Sequence, residues 1–167
     1  MSGLQSIRVH PVPVGLGEIR TGRDGETLVC YGLGSCVGVG LVDPVARVGA
    51  MAHVVLPDSS LSRGAPVEGK FADTAVPALV AQLLRMGAQR ARLIAKIAGG
   101  ARVIHLPGES HLDIGARNVE AVKEALRRAG IPLAAEDTGG SYGRTVLFYT
   151  GTGQMVVSTV GRGERIL

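Results

Sequence analysis

The stretch from Cys30 to His53 reads CYGLGSCVGVGLVDPVARVGAMAH and holds both cysteines of the chain and one of its four histidines. Its turn chemistry constrains how those residues face one another. Val37 to Val42 alternates after Cys36, Asp43-Pro44 is a turn-initiating pair, and a second run extends from Arg47 to Leu56. With Asp43 to Ala46 as a four-residue hairpin loop, Val42 pairs with Arg47, and counting back along both strands pairs Cys36 with His53. Directly opposite residues have Cβ atoms roughly 4.5 to 5.5 Å apart, near enough for a thiol and an imidazole to exchange a proton. The same register sets Val37, Val39 and Leu41 against Ala52, Ala50 and Val48 on an apolar core face. Gly38 then meets Met51, and Gly40 meets Gly49, on the face of Cys36 and His53. That second face is bare backbone, expected to stand open to another chain or side chain. A slip of one residue would send Cys36 and His53 to opposite faces.

The 167 residues are expected to form one domain over 1–167, with 1–10 as a mobile tail. A chain of this size buries about 68 to 70% of its unfolded surface and needs no disulfide or metal to fold. There is no apolar N-terminal segment and no apolar run long enough to span a bilayer. The expectation is a soluble, cytoplasmic protein with reduced thiols and no membrane insertion. The net charge of +4 invites a nucleic-acid reading. The arginines are scattered, however, and aromatics make up only 3% with no tryptophan, so stacking platforms are missing. A solvated surface with no nucleic-acid partner is the simpler reading, and an acidic protein partner is compatible with it.

In chain order, residues 1 to 26 read as one short edge strand, with Val12, Val14 and Leu16 alternating, and a return through turns at Thr21-Gly22 and Asp24-Gly25. Thr27 to Tyr31 is a second strand, followed by Gly32-Leu33-Gly34-Ser35 and the hairpin. Pro57 to Lys70 lacks periodicity and reads as a loop. Val76, Leu79, Val80, Leu83 and Leu84 mark an amphipathic helix capped by Asp73 or Thr74, with Pro77 near its first turn and Gly87 at its end. Ala91 to Ala98 is a strand, and a loop carrying His105 and His111 follows. A second helix from about Ala116 to Ala129 buries Val119, Val122 and Leu126 and ends at Gly130. Ile131–Glu136, Arg144–Thr150 and Gln154–Val160 are strands joined by hairpin turns at 137–140 and 151–153. Strands, helix, strand, helix and strands in that order indicate an α+β layered sandwich of mixed β-sheet with two main helices.

Three chemistries can be weighed on these residues. Gly32-Leu33-Gly34-Ser35-Cys36-Val37 lacks the last glycine of a dinucleotide fingerprint and leads into a strand rather than a helix, so that reading fails. His10, His53, His105 and His111 are dispersed and the cysteines show no CxxC, so no metal is expected. Cys36 and His53 could simply be a buried cysteine beside a core histidine, which spacing alone favours. Against this, the glycine turn before Cys36 can aim backbone N–H groups at an oxyanion, the hairpin supplies a base, and the glycine face supplies access. These are the parts of an acyl-transfer site with a thiolate nucleophile.

The runs GLGSCVGVGLVDP, VGAMAHVVLPDS, KFADTAVPALV, AKIAGGA, DIGARNVEAV and AEDTGG, in this order, resemble CheD, the chemoreceptor glutamine deamidase family of bacterial and archaeal chemotaxis. The resemblance runs from about Gly15 to Val160. It implies a cysteine hydrolase similar in fold to the catalytic domain of the cytotoxic necrotizing factor toxins. Such an enzyme converts glutamines on the cytoplasmic helices of methyl-accepting chemotaxis receptors to glutamate. It further implies CheC, a phosphatase of the response regulator, as a partner, and in some members hydrolysis of receptor glutamyl methyl esters. The family nucleophile falls on Cys36 and the family histidine on His53. The third catalytic position, usually a threonine, is Cys30 here, and a thiol is a weaker hydrogen-bonding partner for an imidazole. Three outcomes are open: a backbone carbonyl orients His53, turnover is slower, or Cys30 and Cys36 form a redox-sensitive pair.

The expected route is proton transfer from Cys36 to His53, attack on the carboxamide, an oxyanion held by N–H groups around Gly34 and Ser35, loss of ammonia and hydrolysis of the thioester, without a cofactor. The competing expectations are a weakly catalytic or non-catalytic partner of CheC, favoured only by Cys30, and a general cysteine peptidase.

Overall fold

The computed structural model describes residues 10–102 and 113–167. Residues 1–9 of the expected tail, and the loop histidines His105 and His111, lie outside the described residues. The chain forms β1 (Val12–Pro13), β2 (Ile19–Arg23), β3 (Thr27–Leu33), β4 (Val37–Asp43), β5 (Val48–Val54), α1 (Ala72–Arg85) and β6 (Ile94–Gly99). There follow α2 (Ile114–Ala129), β7 (Leu133–Thr138), β8 (Arg144–Tyr149), β9 (Met155–Thr159) and β10 (Gly163–Ile166).

The strands divide into two five-stranded sheets, ordered β1-β3-β8-β9-β10 and β2-β5-β4-β6-β7. The β1–β3 and β6–β7 pairs are parallel and the rest antiparallel, so both sheets are mixed. At the centre of the second sheet, β4 is small, β-branched and buried along its whole length. One of its faces, Val37, Val39 and Leu41, joins Val48, Ala50, Ala52 and Val54 of β5 beneath Val76, Leu79 and Leu83 of α1 and Val119, Val122 and Leu126 of α2. Leu79 and Leu83 have no exposed surface, and each such burial stabilises the fold by about 2 kcal/mol. The opposite face, through Val42 and Met51, packs on Leu28, Val146, Phe148 and Met155 of the first sheet. Helices, sheet and sheet thus make three layers, the α+β sandwich that the alternation of elements indicates.

The hairpin register differs from the expected one by two residues. Asp43 pairs with Val48 and Gly38 with His53, so the loop is Pro44–Arg47 rather than Asp43–Ala46, and Cys36 does not sit directly opposite His53. Asp43 is held in the strand by its own carboxylate, which accepts the N–H groups of Val45, Ala46 and Gln89 and the guanidinium of Arg92. Arg47 closes the loop in the left-handed region at φ 57. A displacement of two preserves the period of the pleat, so the division of residues between the faces is unchanged.

The glycine face is not open. A β-carbon on Gly40 would lie 2.7 Å from the Phe148 ring, and one on Gly49 2.9 Å from the Thr150 backbone. These glycines let the two sheets approach. Three other expectations fail. Thr21-Gly22 lies within β2, where Gly22 packs on Thr150. Phe71 holds the N-cap of α1 without a side-chain bond, and Asp73 instead accepts the N–H and hydroxyl of Ser59. The helix therefore starts earlier, and Pro77 falls beyond the first turn. Residues 137–140 form no hairpin, because β7 and β8 belong to different sheets. Gly139, with its N–H on the Gly99 carbonyl, and Gly140 carry the crossing at φ 83 and 71. The 151–153 turn does join paired strands, β8 and β9.

Candidate active site

Cys36 lies where the chain crosses from one sheet to the other. The ladder of β3 is irregular between Cys30 and Leu33, Gly32 takes φ 59, and Gly34 and Ser35 lead into β4. Three successive carbonyls of this crossing are fixed from outside it. Gly34 O accepts the Ala101 N–H at 2.8 Å, Ser35 O accepts Asn118 Nδ2 at 2.9 Å, and Cys36 O accepts the Gly100 N–H at 2.8 Å. Gly99, at φ 119, has to be glycine, since a β-carbon there would collide with the Cys36 carbonyl. Within a planar peptide unit the C=O and N–H point in opposite directions. Pinning the Gly34 and Ser35 carbonyls therefore aims the N–H groups of Ser35 and Cys36 the other way, and among the described residues those two donors have no acceptor. Paired N–H groups of this kind form a concavity suited to a negative oxygen.

His53 is 5% exposed on β5, opposite Gly38, on the face that Cys36 shares by the pleat. Diagonal neighbours of this kind are about 7 Å apart at the backbone, within reach of an imidazole. The Nδ1 atom lies 3.0 Å from the Val14 carbonyl. That oxygen can only accept, so Nδ1 carries the proton and Nε2 is left as the basic nitrogen. The segment around it also holds the His53 backbone, with the Gly17 N–H on His53 O and the His53 N–H on Glu18 O. The Glu18 carboxyl is held below its usual range by the Gly15 N–H first and by Arg20 next, with a smaller contribution from His53. An acidic charge therefore stands near the imidazole.

Cys30 is fully buried on β3, with its Sγ 3.7 Å from the position a β-carbon on Gly38 would take. Burial first, and the nearby Cys36 second, push its thiol up to about 12. Cys36 is half-buried and packs on the same cluster, and burial raises its thiol too. Both are free thiols. The structure thus gathers Cys30, Cys36 and His53 around Gly38, with Gly34 and Ser35 half-buried at the mouth. Phe148 and Thr150 of the first sheet cover the glycine face at Gly40 and Gly49. Among the described residues no group of three or more His, Cys, Asp or Glu side chains is placed to hold a metal ion. A groove of about 540 Å³ between α1 and α2, lined by Pro77, Val80, Leu84, Ala121 and Ala125 among others, includes neither Cys36 nor His53.

Two groups that contact the crossing or His53 escape a reading of the sequence alone. The Val14 carbonyl is a backbone atom and leaves no side-chain signal. Asn118 does leave one, a polar residue four before Val122 on the buried stripe of α2.

No helix among the described residues is long and apolar enough to cross a membrane. The model of the family "CheD chemotactic sensory transduction" matches residues 55–159. A protein of Symbiobacterium thermophilum named "Probable chemoreceptor glutamine deamidase CheD" is 60% identical over 157 residues, covering 92% of this chain and 95% of that protein. The "Chemoreceptor glutamine deamidase CheD" of Thermotoga maritima is 52% identical over 153 residues, covering 92% and 94%. Among solved structures, the hypothetical protein YfiH of Bacillus licheniformis aligns over 78% of this chain and 59% of its own, with TM-score 0.46 and 18% identity, a level at which no shared function follows. The family match begins beyond Cys36 and His53, while the relatives span nearly the whole length, so two independent likenesses agree: the chain belongs to the CheD family.

Proposed function

We propose that this chain is a cytoplasmic protein-glutamine deamidase that converts glutamine side chains of chemoreceptor cytoplasmic helices to glutamate, with Cys36 as nucleophile and His53 as base. The names of its relatives support the substrate class. The observation that carries the chemistry is the bond between His53 Nδ1 and the Val14 carbonyl, which leaves Nε2 as the proton acceptor on the face shared with Cys36. The Val14 oxygen fills the orienting role that the family assigns to the position of Cys30, and Cys30 serves as packing.

Burial keeps Cys36 a thiol at rest. As its sulfur attacks the carboxamide carbon, the proton passes to His53, a step worth about 10²- to 10⁴-fold in rate. The N–H groups of Ser35 and Cys36 take the oxyanion, each such donor being worth roughly 10²- to 10³-fold. The tetrahedral intermediate collapses, the C–N bond breaks, and ammonia leaves with the proton from His53. Water, deprotonated by His53, then splits the thioester to glutamate and the free thiol. No cofactor is required.

A second reading, a CheC partner with little activity, draws on the raised rather than lowered thiol of Cys36. Ammonia release on a chemoreceptor cytoplasmic fragment separates the two. The deamidase liberates ammonia in step with time and loses this with Cys36→Ala. An adaptor binds CheC and releases none.

A further inference from the structure

We infer that Asn118 is a positioning residue of this site, locking the Ser35–Cys36 peptide so that the Cys36 N–H points at the oxygen that becomes negative during attack. The inference rests on the deamidase reading for its substrate and on the geometry of the crossing for the rest.

Asn118 is fully buried on α2. Its Nδ2 gives one hydrogen to Ser35 O at 2.9 Å and the other to Val55 O at 2.9 Å. Ser35 precedes the nucleophile and Val55 lies just past the strand that carries His53, so a single amide joins both halves of the site. The flipped amide would set Oδ1 against two carbonyl oxygens, so this orientation is the one chemistry permits. Asn118 is not capping its helix, since Asp113 does that through the Ala116 N–H. Its place on the stripe with Val119, Val122 and Leu126 is one where an apolar side chain would ordinarily pack. Its Oδ1 is buried with no partner among the described residues, a penalty that a purely structural position would shed. The Gly100 and Ala101 clamps on the neighbouring carbonyls are backbone bonds, so Asn118 is the clamp that a substitution removes.

A peptide carrying a side-chain aldehyde of glutamine length tests this directly. The Cys36 S–H adds across its C=O, forming a C–S bond and moving the proton to oxygen, and that oxygen occupies the place of the oxyanion. In Asn118→Ala the affinity of the adduct is expected to fall about tenfold or more, while alkylation of Cys36 by iodoacetamide, which develops no oxyanion, stays within about twofold. Asn118→Gln, which keeps both amide N–H donors on a side chain one methylene longer, should lie between. Unchanged adduct affinity overturns the inference. So does a parallel loss of adduct, alkylation and melting temperature in both variants, which is a purely structural effect. A wild-type protein that forms no adduct also overturns it, because no oxyanion site then exists. Adduct formation that depends on Asn118, without release of ammonia from a receptor fragment, leaves the positioning role intact and sinks the deamidase reading instead.

Discussion

His53 Nδ1 and the Val14 carbonyl oxygen lie 3.0 Å apart, bridging the two sheets. Val14 itself hangs on the first sheet through its N–H to Val29 O and packs in the core between the layers, whereas His53 belongs to the second sheet. The packing of the sandwich therefore sets the tautomer and direction of the imidazole, with no side-chain partner to Nδ1 among the described residues. On the proposed reading the orienting role falls to Val14 and not to Cys30. Cys30→Ala and Cys30→Thr should each keep kcat/KM within roughly threefold of wild type, with Cys30→Ala losing about 1 to 2 kcal/mol of stability from the space left in the core. A loss of about a hundredfold in activity without comparable destabilisation would make Cys30 the orienting group.

The glycines of β4 should differ sharply in tolerance. A methyl at Gly40 meets three Phe148 ring atoms within 2.8 Å, whereas at Gly38 its nearest neighbours are the Leu33 Cδ1 at 3.4 Å, the Cys30 Sγ at 3.7 Å and the Ala98 carbonyl oxygen at 3.8 Å, all ordinary contacts. Gly40→Ala is expected to cost about 1 to 3 kcal/mol by driving the sheets apart. Gly38→Ala should be near neutral. Denaturant midpoints of the two variants check this, and equal midpoints would contradict the described contact.

The raised thiol of Cys36 has a pH signature. With its folded value above the usual one because of burial, the thiolate is scarce at neutral pH and grows as pH rises. Alkylation by iodoacetamide should therefore still be climbing at pH values where an ordinary cysteine thiol has already levelled off. A plateau reached near neutral pH would mean a preformed thiolate–imidazolium pair.

Asp43 should govern acid stability. Burial alone would raise its carboxyl, but the bonds from Arg92 and from the N–H groups of Gln89, Ala46 and Val45 overrule this and hold it well below the usual range. A folded value below the unfolded one stabilises the fold in full above the unfolded carboxylate value of about 3.9, and that contribution declines progressively as pH falls from there through the folded value. Asp43→Asn should lose about 2 to 4 kcal/mol at neutral pH and flatten the decline of stability in acid, as read by denaturation at several pH values.

The hairpin, the apolar faces and both helices are legible in the sequence because periods of 2 and 3.6 are local properties. The register is not, because Asp43 stays in its strand through Gln89 and Arg92, 46 and 49 residues away. The parity of the pleat survives such a shift of two, which is why Cys36 and His53 are found on a common face by counting alone. The glycine face reads as open because Phe148, which fills it, comes from a strand far along the chain in the other sheet. The hairpin expected at 137–140 fails for a related reason, since turn residues mark where a chain bends and carry no information on which sheet it enters. Motif and spacing single out Cys36 and His53 as candidates, while the Val14 carbonyl belongs to a backbone whose place is set by tertiary packing.

The central claim is that the Cys36 thiol, through a covalent thioester, hydrolyses receptor glutamines. Incubating the protein with a chemoreceptor cytoplasmic fragment in ¹⁸O-water, followed by peptide mass analysis, tests it most directly. Hydrolysis of the thioester by solvent places one heavy oxygen in each new glutamate, so modified peptides should gain about 3 mass units, and about 1 in ordinary water. The gain should grow with time and be absent with Cys36→Ala and with His53→Ala. Unmodified glutamines on a fragment that the wild-type protein binds, or the same gain with Cys36→Ala, would contradict the account.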